Sequence, residues 1–141
     1  IYVNGNLILK AKNNQLTHLY LPTTKRKAIS LFSFHPTIEG FESGFISEIQ
    51  GSSFYHCPNL KTVKMPVLKE VTDLFMVHNE SLIEVDFPSL ERMGKNSFVH
   101  LPNILKMVFF SLKEVGSYCL REFKSLVQLS APQPLMSTCS A

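Results

Sequence analysis

The sequence predicts a repeat solenoid, a right-handed coil of stacked 22-residue units with parallel β-strands on one face and turns or short helices on the other. Three observations predict it. A short segment recurs at a spacing of 22, apolar columns run through the copies at that spacing, and charges one period apart alternate in sign.

The recurring segment reads Phe54-Tyr-His-Cys-Pro-Asn-Leu60, Met76-Val-His-Asn-Glu-Ser-Leu82 and Phe98-Val-His-Leu-Pro-Asn-Ile104. It continues forward as Leu120-Arg-Glu-Phe-Lys-Ser-Leu126 and backward as Phe32-Ser-Phe-His-Pro-Thr-Ile38. Around it, Leu16, Ile38, Leu60, Leu82, Ile104 and Leu126 form one column, and Leu19, Phe41, Val63, Val85, Met107 and Leu129 a second. Pro22, Pro66, Pro88 and Pro132 share a third, interrupted by Gly44 and Phe110. The apolar pairs Ile46/Ile49, Leu68/Val71, Leu90/Met93 and Leu112/Val115 follow, and Phe54, Met76, Phe98 and Leu120 close each unit. One unit has too few apolar groups to bury its own face, so neighbours must stack.

Within a unit, the segment Leu60-Lys-Thr-Val-Lys-Met-Pro-Val-Leu68 fits a short strand, with Val63 and Met65 inward and Thr62 and Lys64 outward. Pro66 ends it, having no N–H for the ladder. Residues 94–103 read as a tight turn and a short helical segment that presents Phe98 to the core. In a parallel stack, residues one period apart become neighbours at about 4.8 Å, where like charges destabilise. The columns Lys69, Glu91, Lys113, then Glu70, Arg92, Glu114, then Glu42, Lys64, Asp86 all alternate, and Glu48 above Glu70 is the like pair.

The chain reads as a single domain over residues 1–141. Residues 1–31 are expected to form an N-terminal cap and a degenerate first repeat, 32–132 the regular repeats, and 133–141 a frayed tail. Asn4-Gly5 is a hairpin signal, and a hairpin there would cover the open edge of the first repeat. From 23 to 30 the apolar columns are largely lost. The tail is too short to complete a repeat, and an open apolar end favours self-association.

Composition excludes several classes. Apolar residues at 45% and charged residues at 18% give a globular balance. A formal charge of +3 does not argue for nucleic acid, and Lys25-Arg26-Lys27 reads as a solvated loop. No apolar run approaches the roughly 18 residues that cross a bilayer, so membrane insertion is not expected. The start lacks a secretory pattern and a Met, and reads as that of a fragment or processed product, which leaves cell surface and cytoplasm both open. Cys57, Cys119 and Cys139 form no CxxC and read as thiols, two of them buried. The column His56, His78, His100 runs from Phe34 to Glu122 and reads as structural histidines copied with the repeat, not as a metal site. No nucleophile elbow or phosphate-cradling loop is present, so no enzyme, cofactor or metal is expected.

The motifs Phe54-x-x-Cys57-x-x-Leu60, Leu60-x-x-Val63-x-x-Pro66 and Leu112-x-x-Val115-Gly116-Ser117 resemble those of the BspA-type leucine-rich repeat family. The resemblance covers residues from 32 to 132. Two features depart from it: a period of 22 where the family unit is about 23, and a Cys column that continues as Asn79, Leu101 and Phe123. The resemblance implies a curved solenoid used for protein–protein contact, in surface and adhesion-type proteins or intracellular scaffolds.

The expected function is therefore a protein-interaction module that binds through its strand face. That face carries two outward columns: His18, Gly40, Thr62, Glu84, Lys106, Gln128, and Tyr20, Glu42, Lys64, Asp86, Val108, Ser130. The residues expected to contact a partner are Tyr20, Glu42, Thr62, Lys64, Glu84, Asp86, Lys106 and Val108, whose mixed charge suits specific recognition. The alternative is a structural spacer within a longer repeat array.

Overall fold

The computed structural model describes residues 32–132 and, before them, the backbone of the strands Tyr2–Val3, Leu7–Lys12, Gln15–Tyr20 and Lys27–Ile29. Asn4-Gly5, Lys25, Arg26, Cys139 and the expected frayed tail lie outside the described residues.

Each coil is bent by its prolines. Leu68 donates its N–H to the Met65 carbonyl at 3.2 Å, closing a four-residue turn with Pro66 second. Leu90 to Phe87 repeats this around Pro88 at 3.1 Å. A second set of turns, Leu60 to Cys57 and Ile104 to Leu101, carries Pro58 and Pro102 in the same place. Proline presets the φ that this position needs.

Between the corners lie short strands that stack into three sheets. The first, eight-stranded, contains Gly40–Glu42, Thr62–Lys64, Glu84–Asp86, Lys106–Val108 and Gln128–Ser130 in parallel. The second contains Lys27–Ile29, Glu48–Gln50, Glu70–Val71, Arg92–Met93 and Glu114–Val115. The third contains Phe54–Tyr55, Met76–Val77, Phe98–Val99 and Leu120–Arg121. The described residues thus form a parallel β-solenoid, the architecture the repeat predicts, with about four turns where the sequence suggests about six units.

One local expectation is corrected. Residues 94–103 hold no helical segment, and no helix occurs among the described residues. Phe98–Val99 is instead a strand, paired in register with Met76–Val77 on one side and Leu120–Arg121 on the other. It is short because His100 turns into the left-handed region at φ 55. A helix would also have spent Phe98 and His100 N–H groups locally, whereas here they bond the Cys119 and Arg121 carbonyls of the next coil at 2.9 and 3.2 Å.

The interior is filled by a file of phenylalanines. Ring centroids lie 5.2 Å apart for Phe32 and Phe41, 5.5 Å for Phe41 and Phe54, 5.5 Å for Phe54 and Phe75, 5.8 Å for Phe75 and Phe98, and 5.2 Å for Phe98 and Phe109. Phe75 stands where the other coils place Ser53, Ser97 and Cys119. It fills the volume beside Met76, whose column is Phe in both neighbouring coils.

The first copy keeps its strand despite its lost apolar pattern. Ala28 lies opposite Ile49, 21 residues on, whereas His18 lies opposite Gly40 at the usual 22. Before it, Leu7–Lys12 pairs antiparallel with both Tyr2–Val3 and Gln15–Tyr20, and this meander occupies the N-terminal edge of the first sheet.

Candidate interaction surface

The two outward columns form as the sequence expects. Gly40, Thr62, Glu84 and Lys106 are mutual register partners, as are Glu42, Lys64, Asp86 and Val108. His18 and Tyr20 extend them onto Gly40 and Glu42 by backbone register. Val63, Val85 and Met107 alternate with them and are fully buried, so the outward positions face away from the core.

Exposure within the columns is uneven. Glu42 and Lys64 are exposed, while Thr62, Glu84, Asp86 and Lys106 are half-buried. Val108 sits in the right column but is only 5% accessible, so it offers a partner little area. Lys106 Nζ lies 3.5 Å from Glu84 Oε1, which ties two of the expected contact residues to each other across neighbouring coils.

A neighbouring feature escaped the repeat pattern. Ile83, Leu105 and Val127 stand one period apart at the corner where each coil enters the first sheet, and they are 41%, 42% and 83% exposed. They form an apolar ridge beside the charged columns. The signal lay in the pairs Leu82-Ile83, Ile104-Leu105 and Leu126-Val127. Adjacent residues leaving a corner cannot both face inward, so one of each pair must reach solvent.

On the second sheet, Arg92 lies 3.3 Å from Glu70 and Lys113 lies 3.0 Å from Glu91, each pair 22 residues apart. The hydrogen bond from Lys113 to Glu91, and then its charge, hold that carboxyl below its ordinary range. These pairs are exposed, and solvent screens them. Their role is register.

The histidine column occupies a distinct structural position. His56, His78 and His100 have φ of 53, 57 and 55, with Phe34 at 60 and Glu122 at 62 in the same column. The chain turns there through the left-handed region, where His is enriched among non-glycine residues. His78 and His100 rings lie 4.8 Å apart, and His100 reaches Glu122 through Nδ1 and Glu80 through Nε2, both at 3.1 Å. No group of three or more His, Cys, Asp or Glu among the described residues has a metal-binding arrangement.

Cys57 is buried, and its Sγ donates to the Phe32 carbonyl at 2.9 Å. Burial pushes its thiol up to about 11, against a smaller lowering by the His35 backbone. A thiol so placed is a packing group, not a nucleophile.

A family model described as BspA type Leucine rich repeat region matches residues 30–140 in six copies. No curated protein and no solved structure matches the chain.

Proposed function

The chain belongs to the BspA-type leucine-rich repeat family, and from that premise we propose that it binds a protein partner through the outward face of its first sheet. The observation that carries this reading is the juxtaposition of registered mixed charge with the apolar ridge. Ile83, Leu105 and Val127 supply area for burial, and Glu42, Lys64, Asp86 and Lys106 supply the polar surround. Specific interfaces combine these two parts: an apolar centre for affinity and complementary charge for partner choice. Tyr20 and Thr62 extend the surface along the two columns, and an adhesion-type contact at a cell surface is one setting such a face suits.

The test is capture of partners from source lysate and from host-cell surface extract. Wild type is compared with a Lys64→Glu/Asp86→Lys/Lys106→Glu variant and with a Leu105→Asp/Val127→Asp variant, each with its thermal midpoint checked. A partner retained by wild type and lost by both variants supports the reading. A partner indifferent to both, or no partner at all, moves the assignment to a spacer within a repeat array.

A further inference from the structure

We propose that Asn79-Glu80-Ser81 accepts an N-linked oligosaccharide in the unfolded chain and that folding closes this site, so that glycan transfer and assembly of the coil exclude one another. The three residues match Asn-x-Ser/Thr with x other than Pro, the pattern that an oligosaccharyltransferase reads. No other Asn in the sequence begins that pattern. The reaction needs a free side-chain amide. Asn79 Nδ2 forms a bond to C1 of the first sugar of a polyprenyl-pyrophosphate-linked oligosaccharide. The bond from that carbon to the pyrophosphate oxygen breaks, Nδ2 gives up a proton, and polyprenyl pyrophosphate leaves.

In the folded chain that amide is withheld. Asn79 is fully buried, its Nδ2 donates to the Phe54 carbonyl at 2.7 Å, and its Oδ1 accepts from the Cys57 N–H at 2.8 Å. Both ends of the amide are thus engaged by the preceding coil. Cys57 and Leu101, one period to either side, are fully buried as well, so the inward direction belongs to the coil geometry. Glu80 is tied the other way. Its carboxylate lies 3.1 Å from His100 Nε2, and its carbonyl accepts from Asn103 Nδ2 at 2.6 Å. Half-buried Ser81 lies in the turn that Leu82 closes by donating to the Asn79 carbonyl at 3.4 Å. The acceptor segment is held by the coil before it and the coil after it, so freeing it means parting both.

A transferred glycan has the reverse effect. A sugar on Nδ2 does not fit an interior packed at protein density, so the modified side chain stays outside. The buried Cys57 N–H then loses its acceptor, and the corner of the preceding coil does not close. In a compartment that contains the transferase, the yield of folded chain is set by whether this coil closes before the acceptor is used.

The test has two arms. In the first, the full chain is offered to a purified oligosaccharyltransferase with its lipid-linked donor, and the product is read by intact-mass spectrometry. Folded wild type is compared with a Phe75→Ala/Phe87→Ala/Phe98→Ala chain, checked to be unfolded by circular dichroism, and with that same chain carrying Ser81→Ala. The unfolded chain is expected to gain one oligosaccharide, and the Ser81→Ala chain none. Folded wild type is expected to react at least about a hundredfold more slowly, because transfer waits on a rare open state. In the second arm, wild type is expressed behind a secretory leader in a eukaryotic host, and its glycosylated and unglycosylated species are compared by limited proteolysis. The glycosylated species is expected to lose the protease resistance that the unglycosylated one shows. The proposal is overturned if the unfolded chain stays unmodified while a control acceptor peptide reacts, or if Ser81→Ala is modified equally. It is also overturned if folded wild type reacts as fast as the unfolded chain, or if the glycosylated species resists protease as the unglycosylated one does. Neither arm involves the outward face of the first sheet, so its outcome is separate from that of the protein-binding reading.

Discussion

Asn79 closes the corner of the preceding coil by accepting a hydrogen bond from the Cys57 backbone N–H at 2.8 Å. Its amide nitrogen donates to the Phe54 carbonyl at 2.7 Å, and the side chain is fully buried. One side chain thus holds two main-chain groups of the preceding coil, one at its corner and one on its strand. Asn79→Ala is expected to lower unfolding free energy by roughly 1–3 kcal/mol, since the buried Cys57 N–H loses its partner. Urea denaturation measures it. A loss below about 0.5 kcal/mol would show that water replaces the amide at no cost.

Phe98 touches Phe75, Phe87 and Phe109 and is fully buried, so its removal opens a cavity that neighbours in two coils line. Phe98→Ala is expected to cost about 3–5 kcal/mol. Phe45→Ala, at an exposed site, should remain within about 0.5 kcal/mol of wild type. Equal losses for the two would mean that the phenylalanine file is not what holds the coils together.

At the corner after the second sheet, successive coils meet backbone to backbone. A Cβ on Gly116 would lie 2.5 Å from the Gly94 carbonyl carbon, and one on Gly94 would lie 2.3 Å from Asp73 Oδ1. Gly116→Ala is expected to destabilise by about 1–3 kcal/mol through forced separation of two coils. Gly44→Ala meets nothing within 4 Å and should be neutral or stabilising by up to about 1 kcal/mol, because alanine narrows the unfolded ensemble. Thermal unfolding of the two variants side by side separates crowding from backbone freedom.

Cys57 makes stability depend on alkaline pH. Its folded thiol ionises at about 11, above the ordinary value of about 8.5, so the unfolded chain releases the proton first. The stabilisation is fully present below about 8.5 and is lost as pH rises towards the folded value. The difference in urea midpoint between wild type and Cys57→Ala is expected to be flat from pH 6 to 8 and to shrink between roughly 9 and 11. A difference that stays constant across that range would show that the thiol is not desolvated.

The period, the inward and outward alternation of Thr62, Val63 and Lys64, and the pairing of charges such as Arg92 with Glu70 were all legible in the sequence. Each follows from residue type and spacing alone. The third sheet was not legible. Met76–Val77 and Phe98–Val99 are too short for a two-residue alternation to show, and they are ended by left-handed turns at histidines, not at the glycines that usually mark them. The strand Lys27–Ile29 was hidden by its offset, because a fixed period of 22 places Lys27, not Ala28, against Ile49. Of the interaction surface, the charged columns were visible as columns. The ridge of Ile83, Leu105 and Val127 was not, because apolar residues beside a core position read as more core.

The coil-to-coil ladders give the molecule a structural reading frame. Gain or loss of a whole unit leaves the backbone register of the remaining units in place, since the coils pair at a constant 22 residues. A shift of one residue inside a strand would instead turn a side of the coil inside out. The first copy shows the permitted exception: the offset at Ala28 and Ile49 is recovered by Phe32, whose N–H meets the Ser53 carbonyl at 2.7 Å. Length can therefore drift only at a corner, and only if the same coil gives the residue back before its next side begins.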